Sequence, residues 1–208
     1  MAASLEHLLI FAREPVLGQV KTRLAADIGP VAALATYREL LALTATAVAA
    51  AQLPATVWLA EAPTPPASPA QPRPEWVGLP WRVQPPAASL GERMRYAFAE
   101  AFAAGAARVL IIGTDCPGLT ATVLQQACDL LATHDVVVGP ATDGGYYLLA
   151  MKHLHDDLFA NKQWSTATVL ADTLADATRL NLRVAQLPTL ADVDAARDLH
   201  AWRGASAS

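Results

Sequence analysis

The sequence predicts a layered α/β domain built on a mostly parallel sheet. Three observations carry this expectation. Short apolar runs alternate with longer segments whose apolar residues recur at helical spacing. Of the 208 residues, 53% are hydrophobic and only 16% charged, which excludes a disordered chain and supplies a sizeable core. The chain has no internal repeat, and its length suits one domain over residues 1–208. Only 6% of residues are aromatic and alanine is abundant, so close-packed helices are expected.

Each element follows in turn. Leu8-Leu-Ile-Phe11 reads as a buried strand, and residues 12–23 as a loop punctuated by Pro15 and Gly18. Leu34, Tyr37, Leu41, Thr44 and Val48 mark a helix over Val31–Ala51. The apolar stretch Leu40–Ala60 is long enough to raise the question of a membrane span. Gln52, Pro54 and many Ala and Thr residues favour a buried helix followed by the strand Thr56–Leu59. Residues 61–80 contain seven prolines and read as a loop. Trp81–Gln84 is a short strand, and Leu90, Met94, Ala97, Phe98, Ala101 and Phe102 share one helical face. Val109–Ile112, all apolar, is the clearest buried strand. A helix over Thr120–Ala132 and strands at Asp135–Gly139 and Tyr146–Met151 follow. Ser165 is expected to cap a helix running to Ala177. Leu182–Leu187 is a late strand, and Asp194 stands where the cap of a final helix belongs.

Composition narrows the function. Fifteen basic and nineteen acidic residues leave a net charge of −4, without the basic stripe that nucleic-acid binding needs. Cys116 and Cys128 make neither a disulfide framework nor a zinc pattern, so a reducing, cytoplasmic setting is expected. Glu6 precedes the first apolar run without a basic leader, which argues against a signal peptide. The five histidines show no metal spacing, and Ser89 and Ser165 have no triad context. Cys116 reads as a small buried residue.

In open α/β sheets, ligands bind beyond the carboxyl ends of the strands, so polar loops there have first claim on function. Residues 11–24 carry Arg13, Lys21 and Arg23 after the first strand; this is either a phosphate-binding turn or a solvated basic one. It matches neither the Walker pattern nor Gly-x-Gly-x-x-Gly. Asp115, in Gly113-Thr-Asp-Cys-Pro-Gly118, could hold Mg²⁺ at the sheet rim or organise an Asx-turn. In Asp192-Val-Asp194, the second Asp could be a helix cap or a ligand, and the two carboxylates are expected to face apart. Asp143-Gly-Gly-Tyr-Tyr147 is a hairpin turn or a place where Gly144 and Gly145 let backbone approach a ligand, with Asp143 as a base or a partner for sugar hydroxyls.

Residues 11–24, Leu90-Gly-Glu-Arg-Met94, Gly113–Leu119, Asp143–Tyr147, Trp164-Ser-Thr166 and Asp192–Asp194 occur together, in this order. In this the chain resembles the small glycosyltransferase-A-like proteins of the arsenosugar-biosynthesis type, in the nucleotide-diphospho-sugar transferase superfamily. It is similar, more distantly, to phospholactate guanylyltransferases and to cytidylyltransferases of the same fold. The resemblance spans essentially the whole chain. It departs at Arg13 and Leu17, where Lys and Pro are usual, and at Ala195-Ala-Arg197, where Thr-Pro-Glu is frequent.

The resemblance implies a three-layer α/β/α sandwich with a mixed, mainly parallel sheet. It also implies a metal-dependent transferase acting on a nucleotide-linked donor and a small-molecule acceptor. Asp115 and Asp194 would hold Mg²⁺ or Mn²⁺. Lys21 and Arg23, with Arg13, would neutralise phosphates, and Arg93 would contact the nucleotide. Asp143, Gly144, Gly145, Trp164, Ser165 and Thr166 would face donor sugar or acceptor, with Asp115, Asp143 and Lys21 taking part in catalysis. A glycosyltransferase is the first expectation. A nucleotidyltransferase releasing pyrophosphate is the second, and a non-catalytic nucleotide-binding module the third.

Overall fold

The computed structural model describes residues 6–62, 76, 78–86 and 89–205. Most of the proline-rich segment read as a loop lies outside them. Among the described residues seven strands form one sheet: β1 (Glu6–Ala12), β2 (Ala55–Leu59), β3 (Trp81–Val83), β4 (Arg108–Ile112), β5 (Val136–Pro140), β6 (Tyr146–Met151) and β7 (Val184–Gln186). Their order is β3-β2-β1-β4-β6-β5-β7. All neighbouring pairs are parallel except those of β6, which runs antiparallel to both β4 and β5.

Among the described residues the α-helices are α1 (Thr22–Ile28), α2 (Pro30–Ala51), α3 (Leu90–Ala103), α4 (Ala121–Leu130), α5 (Val169–Arg179) and α6 (Ala196–Ala205), and α2 and α4 cover one face of the sheet, α3 and α5 the other. Alternation along the strands divides the core. Leu8 and Ile10 of β1 and Leu110 and Ile112 of β4 pack with Tyr37, Leu41 and Val48 of α2 and Leu124 of α4. Leu9, Val109 and Ile111 face the other way, onto Met94 and Phe98 of α3 and Ala177 of α5. The result is the expected three-layer sandwich. The central strand β4 is covered on both sides, which is why its run is apolar without alternation. Leu110 is fully buried there; truncating such a side chain to Ala typically costs about 2–5 kcal/mol.

By length and a hydropathy of 1.3, α2 could cross a membrane. Instead its Tyr37, Leu41, Val48 and Ala51 are buried in the core. Two local expectations need correction. Part of the predicted loop and the residues after it form α1, which Gly29 at φ 83° and Pro30 at the next helix start separate from α2. Ser165 caps nothing: it has φ 62°, and α5 begins only at Val169, after Thr168.

The chain leaves β1 towards β2 and β3, then crosses back to place β4 on the other side of β1. That reversal opens a crevice at the carboxyl ends of β1 and β4, where such sheets bind ligands.

Candidate functional site

Four loops converge on this crevice, and backbone hydrogen bonds explain how. The β1–α1 turn is braced by Tyr37 of α2, whose hydroxyl accepts the Arg13 N–H at 2.9 Å and donates to the Arg13 carbonyl at 3.2 Å. After β7, the chain runs beside the β5–β6 turn: Leu190 N–H donates to Pro140 O at 3.0 Å, and Thr142 N–H to Leu190 O at 3.0 Å. It then meets the loop after β4, where Val193 N–H donates to Asp115 O at 3.0 Å. Val193 itself is buried. This last bond brings Asp194 next to Asp115 across 79 residues of sequence.

Lys21 lies between the two carboxylates. Its Nζ donates to Asp115 Oδ1 at 2.7 Å and to Asp194 Oδ1 at 3.1 Å, while Arg23 reaches Asp194 Oδ2 at 3.3 Å. The Lys21 side chain is only 4% exposed, against 80% for Arg23. Burial disfavours its charge, but the two carboxylates outweigh that and hold the ammonium pKa above its ordinary value. Its backbone is left-handed, with φ 48°, at the start of α1. A side chain in that conformation costs about 1–2 kcal/mol.

The cap expected of Asp194 is supplied by another residue. Asp198, one turn on, accepts the backbone N–H groups of Asp194 at 3.1 Å and Ala195 at 2.8 Å, so the Asp194 carboxylate is free to pair with cations. Asp192 and Asp194 line the same cavity rather than facing apart. Residues two apart in extended chain share a face, with Val193 turned inward between them. Burial, and then the neighbouring Asp143 carboxylate, push the Asp192 pKa up.

Two adjoining cavities share Arg23, Asp115, Ser165 and Asp194. The first, about 420 Å³, is lined by Asp143, Gly145, Trp164, Ser165, Thr166 and Asp192, with Phe11, Met94 and Tyr146 as apolar walls. The second, about 720 Å³, is lined by Arg13, Lys21, Arg23 and Arg93. Arg13 Nη1 donates to Gln19 O at 3.2 Å within the turn. Arg93 Nε is buried and has no hydrogen-bond partner among the described residues.

Gly144 is the predicted site residue that does not line either cavity. Its role is packing: with φ +88°, a Cβ there would sit 2.2 Å from the Ala167 carbonyl oxygen. The close approach seen at Gly144 is to the protein's own backbone. Asp143 Oδ1 accepts the Gly145 N–H at 2.8 Å, so the turn reading also holds. Cys116 is buried as expected, and burial pushes its thiol pKa well up.

Sequence reasoning missed three features. Gly91 lies against the indole of Trp164, where a Cβ would come within 2.2 Å of the ring. Ser89 and Glu92 form a reciprocal capping box at the start of α3, a pattern legible as Ser-x-x-Glu. The bracing by Tyr37 had no local signal beyond helical spacing. Among the described residues no three His, Cys, Asp or Glu side chains cluster to hold a metal ion.

Residues 43–166 match the family model described as "Uncharacterized protein conserved in bacteria (DUF2064)". The chain belongs to the DUF2064 family. No curated protein matches this DUF2064 chain. Among solved structures, it is similar to a protein of Desulfovibrio desulfuricans G20 whose assignment as a nucleotide-diphospho-sugar transferase is itself provisional. Identity is 31%, with 96% of this chain and 86% of that one covered and a TM-score of 0.87. Rv0371C of Mycobacterium tuberculosis H37Rv, in complex with manganese, is similar at 15% identity over 94% and 96% of the two chains, with a TM-score of 0.56. A CMP:2-keto-3-deoxy-manno-octonic acid synthetase complexed with CTP matches at 13% identity over 97% and 98%, with a TM-score of 0.53. At those last two identities the likeness shows that the DUF2064 chain shares their fold.

Proposed function

We propose that the protein is a divalent-metal-dependent transferase acting on a nucleotide-linked donor, and specifically a glycosyltransferase using a nucleotide sugar. One observation carries the reading: at the sheet's carboxyl edge Lys21, which ends the turn after β1, meets both Asp115 and Asp194, and Arg23, in the first turn of α1, meets Asp194. Mg²⁺ on nucleotides is held by one or two carboxylates, with phosphate oxygens and water completing its shell. The Lys21 ammonium acts as a stand-in cation, because one positive centre already touches an oxygen of each carboxylate. Asp115 and Asp194 therefore fit a Mg²⁺ or Mn²⁺ ion shared with a substrate diphosphate. When bound, such an ion neutralises charge on the diphosphate leaving group.

The chain's own groups supply the rest. Arg13, Arg23 and Arg93 line one cavity and would bind and orient the phosphates; removing one preorganised donor aimed at developing negative charge typically costs about 3–4 kcal/mol. Asp143 and the Trp164–Thr166 segment line the adjoining cavity and would bind the sugar or acceptor hydroxyls. The aromatic and apolar walls there, Phe11, Met94 and Tyr146, would limit water around the donor bond. The 31%-identical D. desulfuricans relative, described as a nucleotide-diphospho-sugar transferase, and the resemblance to the arsenosugar-type enzymes support sugar transfer. Buried, unpaired Cys116 and Cys128 suit a cytoplasmic setting.

A nucleotidyltransferase is the second reading. The larger cavity, with four cationic side chains, would also suit a nucleoside triphosphate. Incubation with sugar nucleotides and nucleoside triphosphates, with Mn²⁺ or Mg²⁺, separates the two. Transfer of sugar with release of a nucleoside mono- or diphosphate is expected. Pyrophosphate release without sugar transfer would replace the first reading with the second. Unchanged turnover in both Asp115→Asn and Asp194→Asn would refute both.

A further inference from the structure

We infer that Lys21 is an internal counter-ion that makes metal binding and nucleotide binding depend on each other; this rests on the metal site proposed above. The geometry is a competition for the same atoms. Lys21 Nζ sits 2.7 Å from Asp115 Oδ1 and 3.1 Å from Asp194 Oδ1. Divalent ions take carboxylate oxygens at about 2.0–2.6 Å. A metal ion gripping both oxygens would occupy the space the ammonium fills, and two positive centres cannot share it. Metal entry therefore requires Lys21 to leave.

The displaced ammonium needs a new anion. Its side chain is 4% exposed, so it cannot simply turn into water where it stands. Besides Asp115 and Asp194, which the metal would take, the cavity it also lines holds Arg13, Arg23 and Arg93, and these repel a further free cation. A nucleotide's phosphates reverse that sign. They receive Lys21 on one side and complete the metal's shell on the other. Metal alone must expel a buried ammonium with no new partner, and nucleotide alone meets a lysine already engaged with two carboxylates. Together each removes the other's obstacle.

The coupling is reciprocal, so the factor by which nucleotide tightens metal is the factor by which metal tightens nucleotide. Ordinary couplings of this kind are about five- to hundredfold. Mn²⁺ binding to the whole protein, followed by electron paramagnetic resonance or calorimetry, tests the inference without any turnover. The wild type should bind Mn²⁺ weakly alone, and about five- to hundredfold more tightly with UDP, GDP or CDP. Lys21→Met should bind Mn²⁺ alone more tightly than wild type, with most of the nucleotide enhancement gone.

If Lys21→Met binds Mn²⁺ no more tightly than wild type, the inference is overturned. The metal site itself then still stands, provided Asp115→Asn abolishes wild-type binding. If neither protein binds Mn²⁺ with or without a diphosphate, the proposed function falls and takes the inference with it. A second measurement needs no variant. In the wild type, the Lys21 Cε and Nζ resonances should move in step with Mg²⁺ saturation in the presence of the diphosphate. Resonances that stay in place as the metal binds would equally overturn the proposal.

Discussion

Replacing Gly144 by Ala should loosen the whole acidic side of the cleft. Gly144 has φ +88°, and a Cβ there would meet the Ala167 carbonyl oxygen at 2.2 Å and its carbonyl carbon at 2.8 Å. Both are backbone atoms, so no rotamer change relieves the clash. Leu170 N–H also donates to Gly144 O at 3.0 Å, tying the two segments together. Ordinary contact begins near 3.4 Å, so the backbones must part by roughly 1 Å. The left-handed conformation costs an alanine about 1–2 kcal/mol. Forced displacement in a packed region adds about 1–3 kcal/mol. A total of about 2–5 kcal/mol lowers the melting temperature of a domain this size by about 5–15 °C. Gly105→Ala is the control: it has φ +96° but nothing within 4 Å of its would-be Cβ, so only the conformational cost applies. Thermal unfolding followed by circular dichroism compares the two. If Gly144→Ala is no less stable than Gly105→Ala, the backbone contact that anchors the Trp164 segment is misplaced.

Three other outcomes follow from the same structure. Asp198→Ala removes the acceptor for two backbone N–H groups and should cost about 1 kcal/mol in urea unfolding, yet leave Mn²⁺ affinity within about twofold; a large loss of metal binding would mean that the cap and the cation site are not separate. Asp135 is held well below the ordinary carboxylate range by its hydrogen bonds from the Arg183 side chain and backbone. Its contribution is therefore fully present above the unfolded value of about 3.9 and lost as pH falls through the lower folded one. Asp135→Asn should destabilise by at most about 1 kcal/mol near pH 7, since the pair is partly solvated, and the difference from wild type should shrink in strong acid; a gap that widens there refutes the assignment. Burial pushes the Cys128 thiol up to about 11 and that of Cys116 higher still. Neither should react with a disulfide reagent at pH 8 in the native state, and both should after denaturation; rapid native labelling would show that the loop after β4 opens.

The strands and most helices were readable because their signals are local. Val109–Ile112 is apolar throughout, since β4 is covered on both faces, and Leu34–Val48 keeps helical spacing, since one face of α2 meets the sheet. α1 escaped because seven residues give too little periodicity, and Lys21, at its start, adopts a backbone conformation that composition does not signal. Ser165 looked like a cap by residue type, but its left-handed backbone keeps it outside the helix that begins at Val169. Asp194 looked like a cap for the same reason, and only the position of Asp198 one turn later shows why it need not be one.

What the chain settles by itself is the layering, the candidate residues and their nearness to strand ends, because hydrophobic period and turn chemistry act over a few residues. The folded structure alone decides which of them meet. The Val193–Asp115 hydrogen bond draws two distant carboxylates together, a buried ammonium is caught between them, and Gly91 makes room for Trp164. Contacts of that kind depend on strand order and on the paths of separate loops, and neither is encoded in the spacing of neighbouring residues.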